Sequence, residues 1–348
     1  MESGFRGDSS LARPAPQAAA EPAGADGPML NPGEALLAPL AGTDLLSSAA
    51  LSAPQTEALL ALAAELKTGR RRLDLAGKSL GLIFRKASTR TRVSFSVAMA
   101  RLGGQTIDLN PQVSQVGRGE PIADTARVLS RYVDVLAIRT FAQQELEEYA
   151  HWASIPVINA LTDLEHPCQA LADFLTMQEA FGLGPGQLAG LTLSYVGDGN
   201  NVAHSLMLCG ALLGVNVRIG CPLGFEPDAA VLSQAQQLAG QRGAKVELLH
   251  EPRAAVRGAH ALYTDVWASM GQEAETGERE RAFAGWCLDG ALLAEADPEA
   301  IVLHCLPAYR GKEISAAVIE GSQSRVFDQA ENRLHVQQAL LAALLGGL

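Results

Sequence analysis

The feature that most constrains the fold is a regular alternation between short apolar runs and helix-type segments. Residues 80–181 alternate between these two patterns, beginning with the apolar run at 80–84. After a glycine-rich joint at 182–186, further strand-like runs occupy residues 191–196, 215–219, 245–249, 261–264 and 301–303. Such alternation is typical of parallel strands covered by helices. We therefore predict an α/β protein with two domains, each an open parallel sheet flanked by helices, joined by interdomain helices.

The length of the chain also favours two domains, since 348 residues exceed what one hydrophobic core usually organises. We place the first domain at residues 39–181 and the second at 182–328, and we expect a C-terminal helix at 329–348 to pack on the first. Residues 1–38 are rich in Ala, Pro and Gly and lack periodicity, which predicts a disordered tail. A transit peptide is the alternative, although such peptides are poor in acidic residues and this tail is not.

The first strand-to-helix junction carries an anion-binding pattern. Ser88 stands where a helix N-cap belongs, and Gly103-Gly104 ends the helix. The first turn, Ser88-Thr89-Arg90-Thr91-Arg92, would direct free backbone N–H groups, hydroxyls and guanidiniums into one small volume. This arrangement predicts a phosphate site. The alternative is that Ser88 only caps the helix and that the arginines are solvated surface charges.

The charge balance favours a small anionic ligand over a polyanion. The net charge is −11 and the isoelectric point is about 5.2, whereas nucleic acids and anionic membranes require a basic face. Four cations nevertheless lie within eight residues, at Arg85, Lys86, Arg90 and Arg92, and they repel one another unless an anion compensates them. We therefore expect a small anionic substrate, with neither nucleic acid nor membrane as a partner.

Cysteine usage and hydropathy indicate the compartment. The five cysteines are scattered and contain no Cys-x-x-Cys pair, which suggests neither a disulfide framework nor a zinc site. No stretch of eighteen uninterrupted apolar residues occurs, as a membrane-spanning helix would need. These features predict a cytoplasmic protein.

Further polar groups lie where predicted strands end or predicted helices begin, which is where open α/β sheets present their ligands. They are Arg139 after 133–138, His166 and Gln169 at the helix start marked by Pro167, Asp265 after 261–264, and His304-Cys305 after 301–303. Taken singly, each has a structural alternative. Arg139 could form an ion pair at the rim, His166 and Asp265 could cap helices, and Cys305 could be a small buried apolar side chain.

Several motifs together resemble the ornithine carbamoyltransferase family. They are Ser88-Thr89-Arg90-Thr91-Arg92, His166-Pro167-Cys168-Gln169, Asp265-x-x-x-Ser269-Met270-Gly271 and His304-Cys305-Leu306-Pro307. The resemblance extends in order and approximate spacing from about Pro39 to the C-terminus. The first two motifs resemble those of carbamoyltransferases generally, and the last two resemble those that distinguish ornithine from aspartate as the acceptor.

The resemblance implies two adjacent substrate sites, with carbamoyl phosphate on the first domain and ornithine on the second. The positions similar to carbamoyl phosphate contacts are Ser88, Thr89, Arg90, Thr91, Gln115, Arg139, His166, Gln169, Cys305, Leu306 and Arg333. Those similar to ornithine contacts are Asn201, Asp265, Ser269 and Met270. The implied catalytic residues are Arg139, His166, Asp265 and Cys305. In the family the residue matching Gln115 reaches into the neighbouring subunit's site, which implies a homotrimer with sites at subunit interfaces.

The implied reaction transfers a carbamoyl group to the δ-amine of L-ornithine, giving L-citrulline and phosphate in arginine biosynthesis. The amine has a pKa of about 10 in water and attacks only when neutral, and the oxyanion that forms needs cations and donors such as Arg139 and His166. We expect no cofactor, metal or covalent intermediate. The alternatives are another acceptor such as putrescine or a modified ornithine, a nicotinamide-dependent oxidoreductase built on the 197–201 turn, a non-catalytic phosphate-binding scaffold, and Cys305 as a covalent nucleophile.

Overall fold

In the computed structural model, two parallel sheets are joined by buried helices. The structure describes residues 31–110, 119–268 and 275–348. The helices are α1 (Pro32–Leu37), α2 (Ala53–Lys67), α3 (Thr89–Arg101), α4 (Ile122–Leu129), α5 (Gln143–Trp152), α6 (Pro167–Ala180), α7 (Asn201–Leu212), α8 (Ala229–Gln241), α9 (Pro252–Val256), α10 (Thr276–Ala282), α11 (Gly290–Leu293), α12 (Ala316–Ile319) and α13 (Val326–Leu344). The strands are β1 (Ser79–Phe84), β2 (Gln105–Leu109), β3 (Val135–Arg139), β4 (Val157–Leu161), β5 (Thr192–Val196), β6 (Asn216–Gly220), β7 (Val246–Leu249), β8 (Ala261–Thr264) and β9 (Ile301–His304).

The first sheet has the strand order β2-β1-β3-β4, with every pair parallel. β1, β3 and β4 are buried along their whole length, as expected where helices cover both faces of a parallel sheet. β2 lies at the edge and is partly exposed. From β1 the chain proceeds to one side to form β2 and then to the other side to form β3. Ligands of open parallel sheets bind beyond the carboxyl ends of the strands at such a reversal.

The second sheet repeats this geometry with the order β7-β6-β5-β8-β9, again with every pair parallel. Its reversal of strand order lies between β5 and β8. The predicted fold class is therefore confirmed, since both halves are open parallel sheets flanked by helices.

Two helices connect the sheets. α6 and α13 pack against each other, and both contact β9 of the second sheet. α6 also contacts β4, while α13 packs on α2 and α3 in the first half of the chain. Most residues of α6 and α13 are buried, as expected for helices that are surrounded by protein on all sides.

The prediction of a disordered tail up to residue 38 is wrong for its last part. Residues 32–37 form α1, which packs on α2. A capping box starts this helix, because Asn31 and Glu34 exchange two hydrogen bonds between side chain and backbone, each 2.9 Å long. Leu37 is buried, and Glu34 forms an ion pair with Arg71. Residues 1–30 lie outside the described part of the chain.

Several element boundaries differ from the sequence expectation. β4 continues to Leu161 rather than ending at 158, and Asn159 inside the sheet donates its side-chain amide to the Leu46 carbonyl at 2.9 Å. Arg139 and His304 are the last residues of β3 and β9 instead of following them. The final helix begins at Val326 rather than 329 and ends at Leu344. Within the described ranges, no helix combines the length and apolar character that crossing a membrane requires.

Candidate active site

The carboxyl end of β1 leads directly into α3. Ser88 is the N-cap residue with extended backbone, and its Oγ accepts a hydrogen bond from the Thr91 N–H at 3.3 Å. Thr89 opens the helix and is exposed. Phe84 at the end of β1 pairs in register with Arg139 at the end of β3. The amino end of α3 and Arg139 therefore meet at the reversal of strand order in the first sheet.

Carboxylates neutralise three of the four clustered cations. The pairs are Arg85 with Glu145, Lys86 with Asp163, and Arg92 with Asp108. Arg90 is exposed and has no ion-pair partner among residues 31–110, 119–268 and 275–348. The expectation that all four cations need an external anion is therefore wrong for three of them, because distant segments supply the compensating charge.

Arg139 and Arg333 bring two further guanidiniums to this point. Both side chains are buried, and Arg333 Nη2 donates to Thr91 Oγ1 at 2.6 Å. Burial, together with the charges of Arg333 and Arg90, lowers the pKa of Arg139 to about 10. Burial likewise lowers the pKa of Arg333. Three positive groups thus converge on the amino end of α3, which makes the site strongly attractive to an anion.

His166 lies at the amino end of α6, but its side chain does not cap the helix. Its backbone N–H donates to Ser205 Oγ at 2.8 Å, and its ring Nδ1 is buried without a hydrogen-bond partner in the described part of the chain. Burial and the nearby charges of Arg333 and Arg139 hold the pKa of the imidazole well below its usual value. His166 is therefore a neutral imidazole, and the helix-cap alternative is wrong.

Gln169 lies in the first turn of α6 and is almost completely buried. Its Nε2 donates to Asp173 Oδ1 at 2.8 Å, while its Oε1 has no hydrogen-bond partner among the described residues. Burial raises the pKa of Asp173 to about 7. Sequence reasoning missed Asp173, although its position four residues after Gln169 places both side chains on one helix face.

Asp265 and Cys305 meet at the carboxyl end of the second sheet. The Cys305 thiol donates to Asp265 Oδ1 at 3.0 Å, and Asn200 Nδ2 donates to Asp265 Oδ2 at 2.9 Å. Burial, followed by the negative charge of Asp265, raises the pKa of the Cys305 thiol well above its usual value. The thiol therefore stays protonated at neutral pH, which argues against Cys305 as a covalent nucleophile.

The residues after β9 adopt an unusual backbone conformation. Leu306 has a φ of +57°, in the left-handed region that non-glycine residues occupy at a cost of about 1–3 kcal/mol. Its N–H donates to Nδ1 of the buried His304 at 2.9 Å, and the other ring nitrogen contacts Glu313 at 3.2 Å. His304 and Glu313 therefore hold this turn from inside the protein. Glu313 was not identified from the sequence.

Asn201 bridges the two halves of the molecule. Its Nδ2 donates to the Thr162 carbonyl, just after β4, at 2.6 Å. The neighbouring Asn200, which sequence reasoning did not select, makes the contact with Asp265 instead. A side-chain Cβ at Gly199 would lie 2.2 Å from the Pro227 nitrogen, so close backbone packing requires this glycine. The 197–201 turn therefore has a structural reason for its glycine, which weakens the nicotinamide-dependent alternative.

Sequence reasoning also missed Arg279, which forms hydrogen bonds to the segments around Asp265. Its Nη1 donates to Asp198 Oδ2 and to the Trp267 carbonyl, both at 2.8 Å. Its Nε donates to Glu275 at 2.9 Å. Burial raises the pKa of Asp198 to about 6 although Arg279 opposes this change. The arginine thus connects segments on both sides of Asp265.

One group of side chains has the donor types of a metal site. Donor atoms of Asp265, His304 and Cys305 lie within 4.8 Å of one another. The imidazole nitrogens of His304 already contact Leu306 and Glu313, and the thiol donates to Asp265. Internal hydrogen bonds therefore occupy these donors, and the group stabilises the end of the sheet.

Three residues selected from the sequence cannot be located. Gln115, Ser269 and Met270 lie outside the described residues. The other selected residues lie at the carboxyl ends of the two sheets or on α6, α7 and α13 beside them.

Comparison with known proteins places these residues in a family. Residues 43–179 match the carbamoyl phosphate-binding domain model of the aspartate/ornithine carbamoyltransferases, and residues 189–344 match the Asp/Orn-binding domain model. The ornithine carbamoyltransferase of Parasynechococcus marenigrum is 74% identical over 314 residues, which cover 90% of this chain and 97% of that protein.

Solved structures agree with this match. The ornithine carbamoyltransferase of Gloeobacter violaceus is 58% identical with a TM-score of 0.79, covering 87% of this chain and 98% of that one. The enzyme from Pyrococcus furiosus is 50% identical with a TM-score of 0.84, covering 89% and 99%. The sequence motifs, the paired parallel sheets and these similarities lead to one conclusion: the chain belongs to the aspartate/ornithine carbamoyltransferase family.

Proposed function

We propose that this protein transfers the carbamoyl group of carbamoyl phosphate to the δ-amine of L-ornithine, forming L-citrulline and phosphate in arginine biosynthesis. The observation that carries this proposal is the convergence of Arg90, Arg139 and Arg333 on the amino end of α3. Cys305, whose thiol donates to Asp265, lies close enough to Arg139 and Arg333 to influence their pKa values, so an anion site and an acidic site adjoin. This pairing suits an anionic donor and a cationic amine.

Carbamoyl phosphate would bind through groups of the first sheet and α13. The proposed phosphate contacts are Ser88, Thr89, Arg90, Thr91 and Arg139, with Arg333 alongside and Gln115 supplied by a neighbouring subunit. Arg139, His166 and Thr91 would polarise the carbonyl oxygen. Gln169 and the backbone carbonyls at Cys305 and Leu306 would accept hydrogen bonds from the NH₂ group.

Ornithine would bind at the end of the second sheet. We assign its α-carboxylate and α-amine to Asn201, Asp265, Ser269 and Met270, and its δ-amine to the neighbourhood of Asp265 and Cys305. A carboxylate attracts the charged amine, which must lose a proton before its lone pair can attack the carbamoyl carbon.

The attack produces a tetrahedral oxyanion next to Arg139 and the neutral His166. Donors placed for such an oxyanion contribute about 2.7–4 kcal/mol each, so these two residues should be among the most sensitive to substitution. Phosphate then leaves into a volume where three guanidiniums and the α3 amino end compensate its charge.

A homotrimer in the cytoplasm completes the proposal. Val93 and Val97 on α3 and Ile107 on β2 are exposed by 54%, 37% and 41%, and α3 packs against β2 at the edge of the first sheet. We propose that the three side chains form an apolar strip there. We propose that this strip contacts the next subunit and that Gln115, as the family resemblance implies, reaches into that subunit's site. Within each subunit, residues 39–181 with α13 would form the carbamoyl phosphate domain and residues 182–328 the ornithine domain.

The decisive assay measures citrulline formation from carbamoyl phosphate and ornithine, with putrescine and N-acetylornithine as competing acceptors. We expect turnover with ornithine to exceed that with either alternative by at least a hundredfold, in the range for sites whose polar groups remain unpaired with a wrong substrate. Faster turnover of putrescine or N-acetylornithine would change the assigned acceptor. Turnover at background level, with phosphate still bound, would support the non-catalytic scaffold. Nicotinamide binding detected by calorimetry would support the oxidoreductase.

Two variants test the division into two sites. Arg90→Ala should abolish carbamoyl phosphate binding without affecting folding, because Arg90 is exposed. Arg101→Ala, at the other end of α3 and also exposed, is the matched control and should bind normally. Asp265→Asn should raise the KM for ornithine with little effect on carbamoyl phosphate affinity. An equal loss of both affinities in Asp265→Asn would contradict the two-site assignment.

A further inference from the structure

A chain of buried polar side chains connects α6 with the end of β9. Gln169 Nε2 and Gln329 Nε2 both donate to Asp173 Oδ1, at 2.8 and 2.6 Å. Gln329 Oε1 accepts the His304 backbone N–H at 2.9 Å. These four residues are at most 1% exposed, and they come from α6, α13 and β9. The chain therefore runs from the first half of the molecule to the second without contacting solvent.

The carboxylate in the middle determines how both amides are oriented. A carboxylate can only accept hydrogen bonds, so each glutamine must turn its NH₂ group towards Asp173. Gln329 then presents its carbonyl oxygen to His304, where a donor is available. Gln169 is left with its Oε1 directed elsewhere, buried and without a hydrogen-bond partner among the described residues. The orientation of Gln169 thus follows from Asp173 and not from Gln169 itself.

We propose that Asp173 is a positioning residue that fixes Gln169 as a hydrogen-bond acceptor, so that the site selects an acyl phosphate carrying an NH₂ group over one carrying a methyl group. This inference rests on the proposed function, in which Gln169 contacts the carbamoyl NH₂. Acetyl phosphate has nearly the same shape and phosphate group but offers no N–H donor. It would leave Gln169 Oε1 buried and unsatisfied.

Gln329 connects Asp173 to the end of β9, on the ornithine side of the proposed site. By accepting the His304 N–H, it holds the end of β9 from which Cys305 and Leu306 follow. Backbone carbonyls in this turn are the other acceptors proposed for the NH₂ group. Asp173 thus contacts side chains that support acceptors in both halves of the protein, while the His304 N–H and the Tyr263 hydroxyl help to orient Gln329.

The titration of Asp173 supplies a readout that an inert structural residue would not give. Burial raises the pKa of this carboxyl to about 7, while hydrogen bonds from Gln169, Gln329 and Tyr263 and the charge of Arg333 act in the opposite direction. The titratable groups facing it from other elements are Tyr263 of β8, Cys209 of α7, Arg333 of α13 and Cys305 after β9. Burial raises the pKa values of the tyrosine and both thiols, so Arg333 is the charged member of this set at neutral pH.

Protonation of Asp173 changes which of its side-chain oxygens can donate a hydrogen bond and which can accept one. A carboxylic acid presents a hydroxyl donor, so one glutamine amide can then turn its oxygen towards Asp173. Selection for the NH₂ group should consequently weaken as the pH falls through about 7. Binding of the phosphate group, which does not involve Gln169, should not follow this change.

The experiment compares carbamoyl phosphate with acetyl phosphate in the wild type and in Asp173→Leu. Leucine has no oxygen, whereas an asparagine could keep its own oxygen at the Oδ1 position that receives both hydrogen bonds. Initial rates of citrulline formation give the KM for carbamoyl phosphate, and competition gives the Ki for acetyl phosphate. We expect the ratio of Ki to KM to fall about tenfold in the variant, which corresponds to one hydrogen bond at about 1.4 kcal/mol per factor of ten. The Kd for inorganic phosphate, measured by calorimetry, should change less than twofold.

Two controls separate positioning from general damage. Gln169→Ala removes the acceptor, so adding Asp173→Leu in that background should leave the ratio unchanged. In the wild type alone, the ratio should decrease severalfold between pH 8 and pH 6, a measurement that does not depend on the variant folding. Equal weakening of both acyl phosphates in Asp173→Leu, or a wild-type ratio independent of pH, would overturn the inference. A wild type that forms no citrulline would instead refute the proposed function.

Discussion

Replacing Arg139 by methionine should stabilise the ligand-free protein while inactivating it. Arg139 is 8% exposed and lies near Arg333 and Arg90, and burial together with these charges lowers its pKa to about 10. Methionine keeps an unbranched apolar side chain that fills a similar space without charge. The substitution therefore removes the electrostatic penalty of a buried charge that lies near Arg333 and Arg90.

The magnitude follows from the pKa. The value for Arg139 lies about 2.5 pH units below that of an ordinary arginine, and each unit corresponds to about 1.36 kcal/mol. The folded protein thus disfavours this charge by about 3 kcal/mol relative to the unfolded chain. Because the folded pKa is the lower one, the penalty is fully present at pH 8 and is relieved only as the pH rises through about 10. Allowing for some lost packing, we expect the free energy of unfolding to increase by about 1–3 kcal/mol.

Urea unfolding at pH 8 and fixed protein concentration measures this change. Arg279→Met is the matched control, since Arg279 is also 8% exposed and forms ion pairs with Asp198 and Glu275. The control should lose stability, and inorganic phosphate should stabilise the wild type but not Arg139→Met. We expect kcat of Arg139→Met to fall about 10²–10³-fold. A loss of stability in Arg139→Met equal to that of the control would refute the electrostatic argument.

Three further predictions concern buried groups around the site. Arg279→Met should lower the free energy of unfolding by about 3–5 kcal/mol at pH 8, as measured by urea unfolding. The loss should be smaller at pH 5, because Asp198 has a pKa of about 6 and is neutral there. When the pH falls from 7.5 to 5, the free energy of unfolding should decrease less for His166→Asn than for the wild type, as urea unfolding of both proteins can measure. The reason is that the pKa of His166 is lowered in the folded state, so the wild-type imidazole gains a proton only on unfolding. Gly199→Ala should destabilise the protein by about 1–3 kcal/mol in thermal unfolding, because the added Cβ would overlap the backbone at Pro227. Gly240→Ala in α8, where the added Cβ meets no other atom, should stabilise it by about 0.5–1 kcal/mol in the same assay.

The fold class could be predicted because its signal is local. Apolar runs such as 80–84 and helix starts such as Ser88 and Pro167 are visible in short windows of sequence, and the alternation of the two determines the kind of sheet. Residues at the carboxyl ends of parallel strands lie close together, so Arg139 and Asp265 could be selected from the sequence.

The partners of these residues could not be predicted, because they come from distant segments. Gln329 meets Asp173 across 156 residues, and Arg279 meets Asp198 across 81. The periodicity of apolar residues in the sequence does not indicate which distant side chains will form a hydrogen bond. For the same reason the four cations near α3 could not be sorted in advance into three paired ones and Arg90.

The position of α13 has a consequence for protein synthesis. This helix packs on α2, α3 and α6, yet the ribosome makes it after all five strands of the second sheet. At about 5–20 residues per second, residues 181–325 take roughly seven to thirty seconds to translate. During that interval the nascent amino-terminal half has an open apolar groove where α13 will dock, and a chaperone that recognises such grooves would find its target there.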